Sequence, residues 1–409
     1  MDRRRILVLV SVRGGYYRNI IRGIYRFAAA CGGWTLQQVD PGSLSEPPNV
    51  QNIDGVIYCA SNSKVNVRDL ALLGKPVVDS SNWVSTPGVV SITSDDDAAG
   101  VCAAEHLLGL GHTHFAFAGL PVGLYSKLRG EGFVRRLARE RLHVEQFTLY
   151  EGHHVDGVWV NQIERTKQWL LGLPKPCALL VCADQDALHV WQIANAAGIA
   201  IPDDLAIMAV DDDDLVCGLA EPALTSVRMD GVGVGLAAAQ ALDRQLTTGI
   251  PHPSRRLLPL GVTVRRSTDG KPIADPVVRM AVSWLRLRAA GEAPLAECAR
   301  ATGVSLRTLQ LRFATVLGVG PAEILLKLRL EHAARLLAET DLPLKAVAPR
   351  SGFASAAYLC TAFFRDRGMT PGTWRAKHQP QAAVEAGESE PEGSAPSISA
   401  VPKVPISRK

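Results

Sequence analysis

The strongest constraint on the fold of this chain is an internal repeat near its C-terminus. Four residues recur 50 positions later: Leu309, Phe313, Gly318 and Pro321 return as Leu359, Phe363, Gly368 and Pro371. In each copy a serine, Ser305 or Ser355, stands shortly before a leucine and a phenylalanine that are four residues apart. Serine at that place caps a helix, and the i, i+4 spacing puts both apolar side chains on its inner face. The repeat predicts two helix-turn-helix units whose second helices keep one face exposed.

Positive charge is concentrated in the same region. Residues 275–378 contain 15 Lys and Arg against 8 Asp and Glu, a net charge of +7, whereas the whole chain carries +4. A basic helical region predicts a polyanion, here double-stranded DNA, as its partner. The alternative is a duplicated helical bundle with no role in nucleic-acid binding. The coincidence of the repeat with the basic region favours DNA.

Up to residue 260 the chain alternates between strand-like and helix-like segments. The predicted strands are RILVLVS, WTLQQV, IDGVIYCA, PVVD, HFAFAGL, CALLVC and LAIMAVD. Helical spacing of apolar residues appears in YRNIIRGIYRFAAACG, DDAAGVCAAEHLLGLG and ALHVWQIANAAG. Repeated strand–helix units predict parallel sheets covered by helices on both faces. Their number favours two lobes with a cleft between them.

Four segments follow from these patterns. We expect a two-lobed α/β domain over 1–262, a turn-rich polar linker over 263–275 and an all-helical domain over 276–378. The tail, 379–409, is rich in Ala, Ser, Pro and Glu and lacks aromatic residues. Such a segment buries too little apolar surface to fold, so we expect disorder there.

Composition narrows the function classes. No apolar run reaches the ~18 residues of a membrane span, and the short apolar stretch near Met1 lacks a cleavage pattern, so we expect no membrane partner. The eight cysteines are scattered without a C-x-x-C motif, which favours reduced thiols in a cytoplasm over a zinc site. The run Asp211–Asp214 has metal-ligand composition, but consecutive side chains point in different directions. We expect no metal, no cofactor and no catalytic constellation.

The helical region carries a family resemblance in LAECARATGVSLRTLQLRFATVLGVGPAEILLKLRLEHAARLLAET and VAPRSGFASAAYLCTAFFRDRGMTPGTWR. These stretches resemble the DNA-binding domain of the AraC/XylS family. The resemblance implies that the second helix of each unit reads bases, with Arg307 suited to guanine and Gln310 to adenine. The implied DNA-binding residues are Ser305, Arg307, Thr308, Gln310, Arg312, Lys345, Arg350, Ser355, Thr361, Arg365 and Arg367. Five of them are candidate phosphate partners or, alternatively, solvated surface charges: Arg312, Lys345, Arg350, Arg365 and Arg367.

The second unit departs from the family pattern. Its outward positions, Ala356, Ala357 and Thr361, offer little hydrogen bonding. Pro349 falls inside its first helix, where a proline costs on the order of 3 kcal/mol. In the first unit Leu311 stands where arginine is usual in the family. We therefore expect the first unit to supply most of the sequence reading and the second mostly phosphate contacts.

The α/β region resembles the LacI-type ligand-binding domain, which is similar to periplasmic sugar-binding proteins. The resemblance lies in LGLGHTHFAFAGLP, ADQDALHVWQIANAAGIAIPDDLAIMAVDDDDL and LTSVRMD. It implies that Arg129, Asp184 and Asp211 line the sugar cleft, with Trp83 and Tyr17 packing on the sugar ring. Strand ends are where parallel sheets bind ligands. For the two carboxylates the alternative is a helix cap or a solvated loop, and for Arg129 it is a surface charge.

Together the resemblances imply a transcription regulator controlled by a small, xylose-like sugar. The order of sensor, VRRSTD linker and helix-turn-helix end is similar to that of xylose-responsive regulators. The resemblance favours activation, although no residue fixes the sign of control, and we expect a homodimer and contact with RNA polymerase. The alternatives are a cytoplasmic carbohydrate-binding protein and a metal-dependent sugar hydrolase. The identity of the sugar, the operator and the sign of control stay open at this point.

Overall fold

The structure, a computed structural model, describes residues 3–44, 48–60, 67–150 and 158–379. These residues form two compact units. One comprises the described residues up to Leu287 together with Pro294–Ile324, and the other comprises Arg288–Ala293 and the described residues from Leu325 onward. The first unit contains two α/β lobes and the first helix-turn-helix, and the second unit contains the other helix-turn-helix.

The first lobe is built on a six-stranded parallel sheet. Its strands are β1 (Arg4–Val10), β2 (Trp34–Val39), β3 (Gly55–Cys59), β4 (Val77–Asp79), β5 (Val90–Ser94) and β11 (Arg255–Leu257), in the order β11-β5-β4-β3-β1-β2. Helices α1 (Gly15–Cys31) and α8 (Gly231–Thr248) cover one face, and α2 (Val67–Ala71) covers the other. Ile6 and Val8 face the first pair while Leu7 and Leu9 face α2. Burial on both faces explains the uninterrupted apolar run of β1.

The second lobe repeats this plan. Its strands are β6 (Phe115–Gly119), β7 (Val144–Thr148), β8 (Cys177–Val181), β9 (Leu205–Val210), β10 (Thr225–Arg228) and β12 (Gly261–Thr263), in the order β12-β10-β9-β8-β6-β7. Only the β10–β12 pairing is antiparallel. Its helices are α3 (Asp96–Gly109), α4 (Leu124–Ala138), α5 (Val158–Gly172), α6 (Asp184–Ala196) and α7 (Asp214–Gly218). The predicted two-lobed α/β architecture is confirmed.

Within its described part, the chain passes between the lobes at three places. Helix α3 follows β5 of the first lobe but packs in the core of the second. Helix α8 follows β10 of the second lobe but packs in the core of the first. Finally, β11 joins the first sheet and β12 joins the second. Three connecting segments therefore link the lobes, and each lobe is built from segments that are distant in sequence.

The glycines of α8 have a packing role. A Cβ at Gly235 would lie 2.0 Å from the carbonyl oxygen of Ile20, and one at Gly23 would lie 2.1 Å from that of Val232. Only glycine permits this approach of α1 and α8. In the sequence Gly231-x-Gly233-x-Gly235, the first and third glycines are explained by this packing, whereas a Cβ at Gly233 would meet the side chain of Asp230, which caps α8.

The segment predicted as a linker is partly built into the second lobe. Strand β12 pairs with β10 at Thr263 and Ser226, and Ser267 and Thr268 are buried. The hydroxyl of Ser267 donates to the Ile207 carbonyl oxygen at 2.5 Å. The polar residues at 263–268 indicated an exposed connection. In the structure the hydroxyl of Ser267 instead forms hydrogen bonds with the backbone of β9 and β10, at Ile207 and Thr225.

The helical region begins with α9 (Pro276–Arg288), α10 (Leu295–Ala301) and α11 (Leu306–Leu317). Asp275 starts α9 by accepting hydrogen bonds from the backbone N–H groups of Val277 and Val278. Ser305 caps α11 through the N–H of Thr308. The inner-face residues predicted from the repeat, Leu309 and Phe313, are fully buried. The first helix-turn-helix is therefore α10 and α11.

The second copy follows α12 (Pro321–Glu339), which begins in the first unit. It consists of α13 (Leu344–Arg350) and α14 (Ala356–Arg367), followed by α15 (Pro371–His378). Ser355 caps α14, and Leu359 and Phe363 are fully buried, as the repeat predicts. Pro349 lies inside α13, one residue before its end, and supplies no backbone N–H to the helix there. Of the predicted tail, Gln379 donates to the Thr340 carbonyl oxygen, and the remainder lies outside the described residues.

Three further features bear on function. No single helix in the described ranges is long and apolar enough to cross a membrane, although the bent pair α11 and α12 reaches that length and composition together. All eight cysteines are free thiols. Within the same ranges no group of three His, Cys, Asp or Glu side chains is placed to hold a metal ion.

Candidate functional site

A cleft of about 460 Å³ lies where the two sheets of the first unit meet at the carboxyl ends of their strands. Each lobe contributes loops that follow its strands, which is where ligands of parallel sheets bind. The volume is within the usual range of small-molecule sites. Residues that follow β1, β3, β4, β5, β8 and β9 line it, among them Gly15, Ala60, Asn82, Asp96, Ala183 and Asp211.

Arg129 on α4 is the central cation of the cleft, and it is only 3% exposed. Its Nε donates to Asp96 Oδ1 at 2.8 Å and its Nη2 donates to Asp211 Oδ1 at 2.9 Å. Its Nη1 donates to the Cys182 carbonyl oxygen, and its guanidinium lies over the Tyr125 ring, 5.0 Å from the centroid. Three of its five N–H groups are used in this way, so two are left for a ligand.

Asp211 follows β9 and lines the cleft, as predicted. Its side chain is 23% exposed, and its backbone has a φ of +116°. Burial raises the pKa of Asp211 to about 6, although the neighbouring Arg129 charge opposes the rise. Arg129 donates to Oδ1 of this carboxylate, and Oδ2 can accept a hydrogen bond from a ligand.

Asp184 also lines the cleft, but its carboxylate is engaged within the protein. Oδ2 accepts the N–H of Asp213 at 2.6 Å and Oδ1 accepts the hydroxyl of Ser226 at 2.6 Å. Burial, together with the charge of Asp211, raises the pKa of Asp184 to about 8. Both oxygens of Asp184 thus help to hold the turn that presents Asp211, and its contact with a ligand stays a prediction.

The two aromatic residues that were predicted to pack on the sugar, Tyr17 and Trp83, differ in their positions relative to the cleft. Tyr17 at the start of α1 lines the cleft. Trp83 is not among the described cleft-lining residues and packs instead on Tyr125, with ring centroids 6.0 Å apart. Tyr125 itself lines the cleft and is an aromatic residue that the sequence interpretation missed. Trp83 was assigned from its position after a strand, but its backbone carbonyl accepts the N–H of Leu124 and its ring lies against Tyr125 on α4.

Asn82, Asp96 and Asp186 are among the polar residues of the cleft that were not predicted. Asp96 binds Arg129 and also accepts the side-chain amide of Asn82. Asp186, on the first turn of α6, lines the cleft, and burial raises its pKa. Asp96 and Asp186 both stand at helix N-termini, where aspartate is common for reasons unrelated to ligands. Only the parallel-sheet rule, applied to β5, would have pointed to Asp96.

Acidic groups outnumber basic ones in the cleft. Among its described lining residues six carboxyl groups face two guanidinium groups: Asp40, Asp96, Asp184, Asp186, Asp211 and Asp213 against Arg13 and Arg129. Carboxylates accept hydrogen bonds from hydroxyl groups and repel anions. Asp184 is mainly protonated at neutral pH because its pKa is raised to about 8, but the other five carboxyl groups still outnumber the two guanidinium groups. The electrostatics therefore favour a neutral polyhydroxylated ligand over a sugar acid or a sugar phosphate.

The run Asp211–Asp214 does not form a metal site. The carboxylate of Asp211 binds Arg129, that of Asp212 binds Arg265 at 2.7 Å, and that of Asp213 accepts the Gly15 N–H at 2.7 Å. The side chains diverge to three partners.

The first helix-turn-helix presents the predicted face. On α11, Arg307, Thr308 and Gln310 are exposed, and Leu311 is 68% exposed. Ser305 and Thr308 also share a hydroxyl hydrogen bond of 2.8 Å. This face carries both donors and acceptors, as base reading requires.

Arg312 differs from the other predicted phosphate partners. Its Nη1 donates to Asp275 Oδ2 at 2.8 Å, which ties α11 to the residue that caps α9. The side chain is 43% exposed, so part of the guanidinium still faces solvent. A structural pairing was not anticipated, because the two residues are 37 positions apart.

In the second unit Lys345, Arg350 and Arg365 are exposed, whereas Arg367 is committed to packing. Arg367 lies over the Trp374 ring at 5.4 Å from the centroid and pairs with Asp366 at 3.0 Å.

On α14 the outward positions need one correction. Ala356 packs partly against the helical core, whereas Tyr358 is 52% exposed. Ala357 and Thr361 are exposed, and the Thr361 hydroxyl donates to the Ala357 carbonyl oxygen. Tyr358 therefore belongs to the open face of α14, and Ala356 lies at its border with the core.

Comparisons with known proteins cover both parts of the chain. A family model described as a periplasmic binding protein-like domain matches residues 104–268, and one described as a helix-turn-helix domain matches residues 298–377. The xylose operon regulatory protein of Haemophilus influenzae is 26% identical over 382 residues, which are 91% of this chain and 98% of that protein. A putative AraC-like transcription regulator of Streptomyces antibioticus is 43% identical over 106 residues, 26% of this chain and 35% of that protein.

A solved structure extends this similarity to three dimensions. The xylose-binding transcription activator xylR is 26% identical and superposes with a TM-score of 0.79 over 93% of this chain and 100% of that chain. The similarity therefore includes the order of the domains as well as each domain separately.

Proposed function

We propose that this chain is an AraC-type helix-turn-helix transcription regulator with a periplasmic-binding-protein-like sensor domain, a class of protein to which it is similar over both of its parts. In this proposal a neutral, xylose-like monosaccharide binds in the cleft and controls the affinity of the chain for DNA. The relatives are transcription regulators, and this chain is likewise not an enzyme. The observation that carries the proposal is the arrangement of Arg129 between Asp96 and Asp211 at the floor of the cleft.

That arrangement suits the chemistry of a sugar hydroxyl group. Each hydroxyl donates one hydrogen bond and accepts others, so it is best bound where a donor and an acceptor stand side by side. The two remaining N–H groups of Arg129 supply donors, and the free oxygen of Asp211 supplies an acceptor. Tyr17 offers apolar ring surface to the carbon atoms of the sugar.

On the DNA side, we propose that α11 reads bases through Arg307 and Gln310. A bidentate pair of this kind contributes about 1–3 kcal/mol of discrimination. Ser305 and Thr308 stand at the exposed start of α11, Ser355 stands at the start of α14, and Thr361 is exposed in the middle of α14; we propose that all four contact DNA. The exposed cations Lys345, Arg350 and Arg365 are proposed phosphate contacts. Arg312 and Arg367 are proposed to contact phosphate as well, although each also forms an ion pair within the protein, with Asp275 and Asp366 respectively.

We further propose that the protein acts in the cytoplasm as a homodimer on a two-part operator. The sign of control is activation, through sugar-strengthened operator binding and contact with RNA polymerase. The support is the similarity in domain order to a xylose-binding activator.

The sugar proposal is tested by calorimetric titration of the purified chain with D-xylose. A panel of other pentoses, hexoses, xylonate and xylose phosphate is titrated in parallel. We expect saturable binding of a neutral pentose and none of the two anions. Asp211→Asn removes the acceptor charge that faces the ligand and should weaken binding. The control is Asp214→Asn, three residues along the chain and exposed, which should bind normally.

Preferential binding of xylonate or xylose phosphate would contradict the proposed ligand class. Equal affinity of Asp211→Asn and Asp214→Asn would contradict the site. DNA control is measured separately, by operator titration with and without saturating sugar. An operator affinity that sugar leaves unchanged would contradict the proposed control of DNA binding and favour a carbohydrate-binding protein.

A further inference from the structure

Three consecutive aspartates after β9 contact three different parts of the first unit. Asp211 binds Arg129 in the cleft. Asp212 binds the predicted linker through Arg265, and Asp213 binds the first lobe through Gly15. A single short turn therefore joins the ligand site, the connection toward the DNA-reading helices and the opposite lobe.

The backbone of this turn is constrained. Asp211 and Asp212 have φ values of +116° and +56°, a region that residues with a side chain seldom adopt. The N–H of Asp212 donates to the Ser226 hydroxyl at 3.1 Å, and the N–H of Asp213 donates to Asp184 at 2.6 Å. Because neighbouring residues in such a turn are fixed relative to one another, a shift at Asp211 also displaces Asp212 and Asp213.

The contact between Asp212 and Arg265, here called the linker bridge, is well satisfied. Arg265 donates from Nη2 to Asp212 Oδ1 at 2.7 Å and from Nη1 to the Leu224 carbonyl oxygen at 2.9 Å. Asp212 Oδ2 accepts the hydroxyl of Thr263 at 2.6 Å. The two side chains are 10% and 19% exposed, so water screens the pair little.

The chain that leaves Arg265 runs on to the first helix-turn-helix. Thr268 is buried and shares a 2.8 Å hydrogen bond with the hydroxyl of Thr225. Asp275 then caps α9 and binds Arg312 on α11 at 2.8 Å. Arg279 on α9 binds Asp204 of the second lobe at 2.8 Å. The first DNA-reading helix is thus connected to the linker bridge by fixed contacts.

The contact of Asp213 with Gly15 and Arg18, here called the lobe bridge, spans the cleft. Asp213 Oδ2 accepts the Gly15 N–H at 2.7 Å and the Arg18 Nη2 at 3.1 Å. Gly15 begins α1 of the first lobe, where a carboxylate is also favoured by the helix dipole. A Cβ at Gly15 would lie 2.8 Å from Asp213 Cγ, so the bridge requires glycine there.

We propose that Asp212 and Asp213 are positioning residues: the lobe bridge holds the cleft closed around the sugar, and the linker bridge transmits that closure to α11. The proposal rests on the proposed sugar-controlled DNA binding and specifies how it is achieved. Sugar contacts Asp211 and Arg129, the turn takes its closed arrangement, and both bridges form together.

The two bridges predict opposite defects. Asp212→Asn and Arg265→Gln should leave sugar affinity within about twofold of the unsubstituted protein but abolish the effect of sugar on operator affinity, a coupling that is typically about 5- to 150-fold. Asparagine is tolerated at positive φ, so Asp212→Asn preserves the turn. Gly15→Ala should weaken sugar binding about tenfold or more, because it raises the free energy of the closed arrangement.

Operator affinity is measured by fluorescence anisotropy with and without saturating D-xylose, and sugar affinity by calorimetry, on the full chain. Asp214→Asn and Gly218→Ala are the controls, since the first is exposed and a Cβ at the second meets no atom within 4 Å. Loss of coupling at normal sugar affinity in the linker-bridge variants, with weakened sugar binding in Gly15→Ala, supports the proposal. Full coupling in Asp212→Asn and Arg265→Gln, or unchanged sugar affinity in Gly15→Ala, overturns it.

The failure of the proposed function gives a different result. In that case the unsubstituted protein itself shows no sugar binding or no coupling. The unsubstituted protein is therefore measured first, and the variants are interpreted against its coupling factor.

Discussion

Replacing Arg129 by methionine should destabilise the sensor as well as remove its sugar donor. Methionine keeps much of the side-chain volume but supplies no donor. Two buried carboxylates then lose their cation: Asp96, which is 2% exposed, and Asp211. Breaking a buried ion pair in this way typically lowers the free energy of unfolding by about 3–5 kcal/mol. We expect a loss of that size at neutral pH.

The same helix provides a matched control. Arg135 also pairs with an aspartate, Asp97, but its side chain is 49% exposed. An exposed pair contributes about 1 kcal/mol or less, so Arg135→Met should unfold close to the unsubstituted protein. Adding Asp211→Asn to Arg129→Met removes one of the unpaired charges and should restore about 1–3 kcal/mol.

Urea unfolding followed by tryptophan fluorescence is a suitable assay. Five of the seven tryptophans precede residue 200, so the signal comes mainly from the sensor. The unfolding midpoint should fall for Arg129→Met at an unchanged dependence of the free energy on urea. If Arg129→Met and Arg135→Met unfold alike, Arg129 does not hold the carboxylates of the cleft in the way its contacts indicate.

Three other predictions can be checked with the same protein. Burial raises the pKa of Asp184 to about 8, so the folded state keeps a proton that the unfolded chain releases above pH ~4. The free energy of unfolding should therefore fall as the pH rises from about 4 to 8, and Asp184→Asn should flatten that slope in urea titrations. Arg307→Ala should weaken operator binding by about 1–3 kcal/mol and relax one base position, whereas Arg365→Ala should weaken operator and random DNA alike and reduce the salt dependence; equal losses on both DNAs for Arg307→Ala would make it a phosphate contact. Phe363→Ala should lower the free energy of unfolding of the second unit by about 3–5 kcal/mol, measured by calorimetry, because Phe363 is fully buried; an unchanged transition would contradict its place in that core.

The sequence was sufficient for the architecture because the main signals are local. Apolar runs such as LAIMAV predict buried strands, and the spacing of Leu309 and Phe313 predicts the inner face of α11. The missed strands are those whose pattern depends on tertiary partners. In β5 the sequence VSITS alternates with polar residues, yet four of its five residues are buried, and Thr93 is only 2% exposed. Strand β12 has three residues and exists through its pairing with β10.

The candidate site was predictable only in outline. Arg129 and Asp211 were recognised from family-like motifs, and the structure brings them within 2.9 Å of each other. The partners of these residues were not recognisable, because Asp96 is 33 positions from Arg129 and resembles an ordinary residue of a helix start. Trp83 shows the converse limit. Its place after a strand indicated the cleft, but the direction of its ring is decided by a contact with α4.

The acidic run after β9 illustrates why composition alone misleads at such a site. Four consecutive aspartates suggest a metal, yet each of the first three has a separate partner in the protein. Two of them occupy positive φ, where aspartate is among the few residues other than glycine that are tolerated. A turn that must contact the cleft, the linker and the opposite lobe within three residues needs both this backbone and a short acceptor side chain at each position. Aspartate satisfies both requirements, so the run is explained by the geometry of the turn. The same reasoning predicts that asparagine at Asp212 keeps the backbone of the turn but loses the ion pair with Arg265, whereas a β-branched residue there would also unfold the turn.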